Sequence, residues 1–142
     1  MPAGQPVAKK LITPPVKVTG SVGAWTNNPY SRLEDYNFGS HARTLKTLGY
    51  GDNITFTFAG PVECEQIELV TGYSYLPRCI LMSGYVELLY AGDKEFQHYG
   101  TFKDGALTIS PDKAVKALRI VSTQRTNGEK SVIIQPLRIV AK

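Results

Sequence analysis

The 142 residues carry 16 Lys+Arg against 12 Asp+Glu, a formal charge of +4, with 42% hydrophobic residues, 13 Gly and 9 Pro. That length fits one domain able to bury a core without disulfide or metal staples, and the ordinary charge and aliphatic content exclude wholesale disorder. No run approaches the roughly 18 apolar residues of a membrane span, and the basic residues are scattered, with Lys9-Lys10 the one basic pair, so neither membrane insertion nor a nucleic-acid partner is expected.

Residues 1–15 contain Pro2, Pro6, Pro14 and Pro15 and little periodicity. They read as a linker or disordered tail, with the folded domain over 16–142. Met1-Pro2-Ala3-Gly4 opens no apolar signal core. The expectation is therefore a module of a longer parent whose export signal lies elsewhere.

From Val16 the chain is a series of short strand-like runs. Residues 16–22 alternate Val16 and Val18 against Lys17 and Thr19. Residues 53–58 place Ile54, Phe56 and Phe58 on one side and Thr55 and Thr57 on the other, the pattern of a half-buried strand. Residues 62–70 read as another strand, with a bulge where Cys64 and Ile67 fall out of phase. Residues 85–90, 95–102, 106–109, 114–123 and 131–140 complete about eight strands, with Pro136 demanding an edge or a kink in the last. Helix is limited to about one turn. Ala59-Gly60-Pro61, Gly92-Asp93-Lys94 and Lys103-Asp104-Gly105 read as tight turns. An all-β sandwich or barrel is expected.

The sequence carries no GxSxG, HExxH, P-loop or GxGxxG motif. His41 and His98 are far apart and lack an i, i+4 partner, which argues against a zinc pair. Glu34 and Asp35 have no second carboxylate set apart by pattern, as a glycosidase pair would. Cys64 and Cys79 match no metal spacing; they are plain buried residues or form one disulfide. This chain alone is not expected to be an enzyme.

Three longer connections stand out, over residues 23–51, 72–84 and 124–130, and long loops on a rigid β scaffold are where binding residues collect. The first holds Trp25, Asn27, Asn28, Tyr30, Arg32, Asp35, Tyr36, Asn37, His41 and Arg43. The second holds Tyr73, Tyr75 and Arg78, and the third Gln124, Arg125, Thr126 and Asn127. Aromatic faces beside planar polar groups suit a pyranose, which presents a C–H face and a rim of hydroxyls. The plainer alternative is that Trp25, Tyr36 and the other aromatics plug the ends of the sandwich while Arg43 and Arg78 pair with carboxylates.

The segment Val70-Thr71-Gly72-Tyr73-Ser74-Tyr75-Leu76-Pro77-Arg78, followed by Ser83-Gly84-Tyr85-Val86-Glu87 and Ala91-Gly92-Asp93-Lys94-Glu95-Phe96, resembles the coagulation-factor type C, or discoidin, family. Within it the chain is most similar to the carbohydrate-binding modules appended to bacterial glycoside hydrolases. Gly51-Asp52-Asn53-Ile54-Thr55-Phe56-Thr57-Phe58, Ala117-Leu118-Arg119-Ile120 and Ile133-Ile134-Gln135-Pro136-Leu137-Arg138-Ile139 resemble further strands of that family. The resemblance implies an eight-stranded, galactose-binding-like jelly-roll β-sandwich. It makes Arg78 the sugar-binding arginine, puts Ser83 where a partner asparagine is common, and sets His41 against a histidine that contacts a galactose hydroxyl. In the last loop Arg125 and Asn127 stand where the family has an aromatic, so Tyr73, Tyr75 or Trp25 would supply stacking. The family often holds a calcium ion; with Leu33-Glu34-Asp35-Tyr36-Asn37 in one of its regions and Pro136 at a glutamate position, no calcium or other cofactor is expected.

The function implied is a non-catalytic carbohydrate-binding module, C-terminal in an exported glycosidase such as a β-hexosaminidase. It would bind terminal galactose-type or N-acetylhexosamine glycans weakly through Arg78, Tyr75, Tyr73, His41, Arg43, Arg125, Asn127 and Trp25. Its place would be extracellular, periplasmic or on the cell surface, with the parent's catalytic domain as intramolecular partner. The competing expectation is a ligand-free structural domain packed on a catalytic domain or another protein, which an exposed apolar patch around Leu76, Ile80 and Met82 would favour.

Overall fold

The computed structural model describes residues 10–72, 79–125 and 131–142. Among these the strands are β1 (Leu11–Ile12), β2 (Val16–Gly20), β3 (Ala42–Arg43), β4 (Asn53–Val62), β5 (Gln66–Val70), β6 (Gly84–Tyr90), β7 (Gln97–Thr101), β8 (Ala106–Ile109), β9 (Val115–Ser122), β10 (Ile133–Ile134) and β11 (Arg138–Val140). Helix is confined to one 3-10 turn at Tyr30–Leu33.

Period-two alternation decides which face each strand buries. In β4, Ile54, Phe56 and Phe58 point inward and are buried. Across the ladder Ile54 opposes Ile120, which opposes Val86, and Phe56 opposes Leu118, which opposes Leu88. These rows form the inner face of a five-stranded antiparallel sheet, β2-β4-β9-β6-β7. The second sheet, β1-β11-β5-β8, contributes Ile67, Leu69, Ile109 and Ile139 to the same core. Two sheets sharing one apolar interior are a β-sandwich. β3 and β10 pair as a short ribbon beside it.

Several expectations shift. Residues 59–61 are not a turn but lie within β4, where pairing to β9 jumps from Thr57↔Ala117 to Val62↔Val115. The surplus residues bulge out, which accommodates a proline that has no N–H to give the ladder. The phase slip over 62–70 is therefore a crossing between sheets, β4 ending at Val62 and β5 beginning at Gln66, rather than one bulged strand. Pro136 splits 131–140 into β10 and β11, which lie in different sheets. Part of the stretch assigned to the tail enters the sandwich: Leu11 pairs with Val140 and Ile12 with Ile139.

The turn at residues 103–106 is as expected. Asp104 and Gly105 have φ of 53° and 80°, and Lys103 and Ala106 exchange both backbone hydrogen bonds, the geometry of a two-residue hairpin. Cys64 and Cys79 are both free and buried. They flank opposite ends of β5, on the order of 15 Å apart at strand rise, beyond the reach of a disulfide.

The strand directions bring the long connections together. β2 ends beside the start of β4 (Gly20↔Ile54), and the end of β9 lies beside the starts of β4 (Asn53↔Val121) and β6 (Gly84↔Ser122). The chain after β5 joins the same end, since Thr71 bridges Ile134 and bonds Gly105. One end of the sandwich thus carries the described ends of all three long connections.

Candidate functional site

Buried polar side chains fix the bases of these loops. The Thr71 hydroxyl donates to the Gly105 carbonyl at 2.6 Å and accepts from the Leu81 N–H at 2.9 Å. Gln124 accepts the Met82 N–H and donates to the Leu48 carbonyl, each at 2.9 Å, tying three loops at once. The Thr44 hydroxyl accepts from the Val132 N–H at 2.8 Å. Gly72 and Cys79, on either side of residues 73–78, both bond the backbone of Ile133, which pairs with Arg43.

Around Arg43 the loop residues converge. Its Nε donates to the Ser131 hydroxyl at 2.7 Å, and its guanidinium carbon lies 4.0 Å from the centroid of the Trp25 ring. Trp25 is 40% exposed, so this large ring stays accessible at the surface. Backbone bonds from Trp25 N–H to the Arg43 carbonyl and from Arg43 N–H to the Asn28 carbonyl hold the two segments side by side. The Asn28 amide nitrogen lies 3.4 Å from His41 Nε2 and from the His41 carbonyl. Partial burial, then the charges of Arg43 and Arg32, push the His41 pKa below its ordinary value, so the imidazole is neutral at physiological pH.

A second group lies on the same end. The Arg125 guanidinium stands 5.1 Å from the centroid of the Tyr50 ring. Tyr50, Met82 and Leu45 are 68%, 64% and 61% exposed. The Ser83 and Thr123 hydroxyls bond each other at 2.6 Å, so Ser83 is engaged within the protein.

Of the residues expected at the site, Trp25, His41 and Arg43 come together and Arg125 joins Tyr50 on the same end. Arg78, Tyr75, Tyr73 and Asn127 lie outside the described residues. Tyr36 is a buried plug, its hydroxyl bonding the Pro14 carbonyl and its pKa raised by burial; Trp25 is not one. Asn28 and Arg32 belong to the aromatic-rich loop but were not assigned to the site. Tyr50 and Ser131 were missed altogether. Tyr50 precedes Gly51, whose φ of 88° needs a glycine, and that turn signal beside an aromatic was the available clue.

At the positions set against the family's calcium region, the side chains hold the local backbone. One Glu34 oxygen accepts the Val18 N–H at 2.9 Å, one Asp35 oxygen accepts the Asn37 N–H at 3.1 Å, and Pro136 has only a carbonyl to offer. Among the described residues no three His, Cys, Asp or Glu gather as a metal site.

The sandwich, with its loops gathered at one end, is the discoidin-like, galactose-binding-like fold of family 32 carbohydrate-binding modules. It is similar to the family 32 module of NanJ from Clostridium perfringens, solved with galactose, at a TM-score of 0.62 and 13% identity over 88% of this chain and 93% of that one. It is also similar to module CBM32-5 of CpGH89 from Clostridium perfringens, solved with GalNAc-β-1,3-galactose, at 0.63 and 14% over 89% and 95%. Chitosan-binding module 1 of a chitosanase/glucanase from Paenibacillus sp. IK-5 matches at 0.68 and 12% over 94% and 99%. At these identities the likeness is one of fold. No family model matches the sequence, and no curated protein matches it.

Proposed function

We propose that the chain is a non-catalytic carbohydrate-binding module that takes terminal galactose-type or N-acetylhexosamine sugars at the loop end and holds a β-hexosaminidase-like glycoside hydrolase near its glycan, outside the cytoplasm. The observation that carries this is the exposed Trp25 ring with Arg43 stacked over it and His41 and Asn28 alongside. A ring edge and open face take a sugar's C–H face, while the amide, the imidazole and the guanidinium N–H groups meet its hydroxyls. Modules of this fold solved with galactose and with a GalNAc disaccharide support the choice of sugar. A shallow surface with so few contacts gives affinities of about millimolar to tens of micromolar, and attachment to a parent compensates by avidity.

Trp25 is the single tryptophan, so its fluorescence reports on the site directly. Galactose- or GalNAc-terminated glycans should change that emission saturably. Trp25→Phe should weaken binding measured by calorimetry about tenfold, in line with the loss of one aromatic contact. The second reading, a ligand-free packing domain, draws on the exposure of Tyr50, Met82 and Leu45. On that reading no glycan perturbs Trp25 at any concentration up to tens of millimolar.

A further inference from the structure

We propose that the sugar taken at the loop end is an acidic one, with its carboxylate received by the Arg43 guanidinium. This rests on the carbohydrate-binding reading and moves its preferred ligand from neutral to acidic sugars. On the outer face of the five-stranded sheet Arg119 and Glu87 form an ion pair at 3.6 Å. Arg43, Arg32 and Arg125, all on loop-end segments, have no carboxylate partner among the described residues.

The described acidic residues of the first long connection and of the turn before β4 bond neutral groups. Asp52 accepts the Ser21 hydroxyl at 3.0 Å and the Gly49 N–H at 2.9 Å, while Glu34 holds the Val18 N–H and Asp35 the Asn37 N–H. Among the described residues, none of these carboxylates bonds Arg43.

Arg43 is also pre-oriented. Ser131 fixes its Nε and Trp25 covers one face, which among the described residues leaves the two terminal amino groups as a fork. A planar carboxylate fits a guanidinium fork with two charge-assisted hydrogen bonds, where a neutral hydroxyl makes one weaker bond. Trp25 beside the fork supplies the surface for the pyranose that bears the carboxylate. The His41 pKa is depressed chiefly by burial, with the charges of Arg43 and Arg32 adding to it.

Galactose and galacturonic acid differ only at C6, a hydroxymethyl against a carboxylate, and N-acetylneuraminic acid presents a carboxylate from a different sugar. Titrating each into the 15N-labelled protein at low salt, with acetate as the sugar-free anion, separates the possibilities. The expected result is that one or both acidic sugars bind about tenfold or more tightly than galactose. That advantage shrinks as salt is raised toward about 0.5 M, where screening is strong, and Arg43→Gln brings the acidic sugar down to the galactose level. Which acidic sugar prevails identifies the source of the carboxylate. If Arg43→Gln does not fold, the salt dependence of the unaltered protein still decides. Galactose binding as well as or better than both acids overturns the inference and leaves the glycan reading standing. Acetate matching the acidic sugars makes the locus an anion site and overturns it as well. Resonances unmoved by every sugar bring down both readings.

Discussion

At the scale of single residues, the side chains that matter most are polar groups holding loops rather than apolar groups filling space. Thr71 is 6% exposed, and Leu81 N–H has its hydroxyl as acceptor. Thr71→Val keeps the shape and removes that acceptor, leaving a buried donor unpaired. Urea denaturation should show a loss of about 2 kcal/mol; an unchanged midpoint would mean the loop base is not built as described. His41 makes a prediction with a definite sign. Its folded-state pKa lies below the ordinary value near 6.5, so as pH falls the unfolded chain takes up the proton first. Above that value the imidazole is neutral in both states and adds no pH dependence. Stability should therefore decline as pH falls below about 6.5, down to the folded pKa, and His41→Gln should flatten that part of the profile in chemical denaturation at closely spaced pH values. A variant profile as steep as the wild type's would contradict the assignment.

At the scale of elements, the sequence was most legible where one face is buried and the other wet. Ile54, Phe56 and Phe58 alternate in the sequence and line the core in β4, because a one-residue slip would turn all three to solvent. The same logic misled at the sheet edges. Ala59-Gly60-Pro61 has the composition of a turn, yet the strand continues through it as a bulge, since β4 must reach Val62 to pair with Val115. Leu11-Ile12 carries no alternation long enough to see, and pairs only because β11 presents an open edge. At the site, loop composition pointed to Trp25, His41 and Arg43, but contacts such as Arg43 with Ser131, 88 positions apart, have no local signal. Gln124 is another such case, joining β9's exit to the loops before β4 and β6. Gln124→Glu is isosteric but turns a donor toward the Leu48 carbonyl into an acceptor. It should lower stability by about 2–3 kcal/mol and broaden or shift amide resonances of Leu48 and Met82; a neutral effect in thermal unfolding would show that these loops are held by other means.

At the scale of the whole molecule, one apolar core shared by two sheets carries the fold, with no help from cross-links among the described residues. Cys64 and Cys79 sit at opposite ends of β5 as free, buried thiols. Dithiothreitol should leave the melting temperature unchanged, and both thiols should react with a colorimetric disulfide reagent only upon unfolding; a drop in melting temperature on reduction would contradict the arrangement. The same antiparallel topology that closes the core brings the described bases of three loops to one end, and there Trp25, Tyr50, Arg43 and Arg125 gather. The result is a rigid platform for the glycan-binding patch proposed above.

The central claim is that this patch holds a sugar, and the indole N–H of the single tryptophan gives one isolated resonance with which to watch it. The decisive measurement is a 15N–1H titration of the whole chain with galactose, GalNAc and their acidic counterparts to tens of millimolar. The account predicts saturable shifts of the Trp25 indole together with the backbone amides of Asn28, His41 and Arg43, while the outer-face residues Thr55 and Glu87 stay still. Shifts confined to the outer face, or none at any concentration, would contradict it and leave the sandwich as a packing domain.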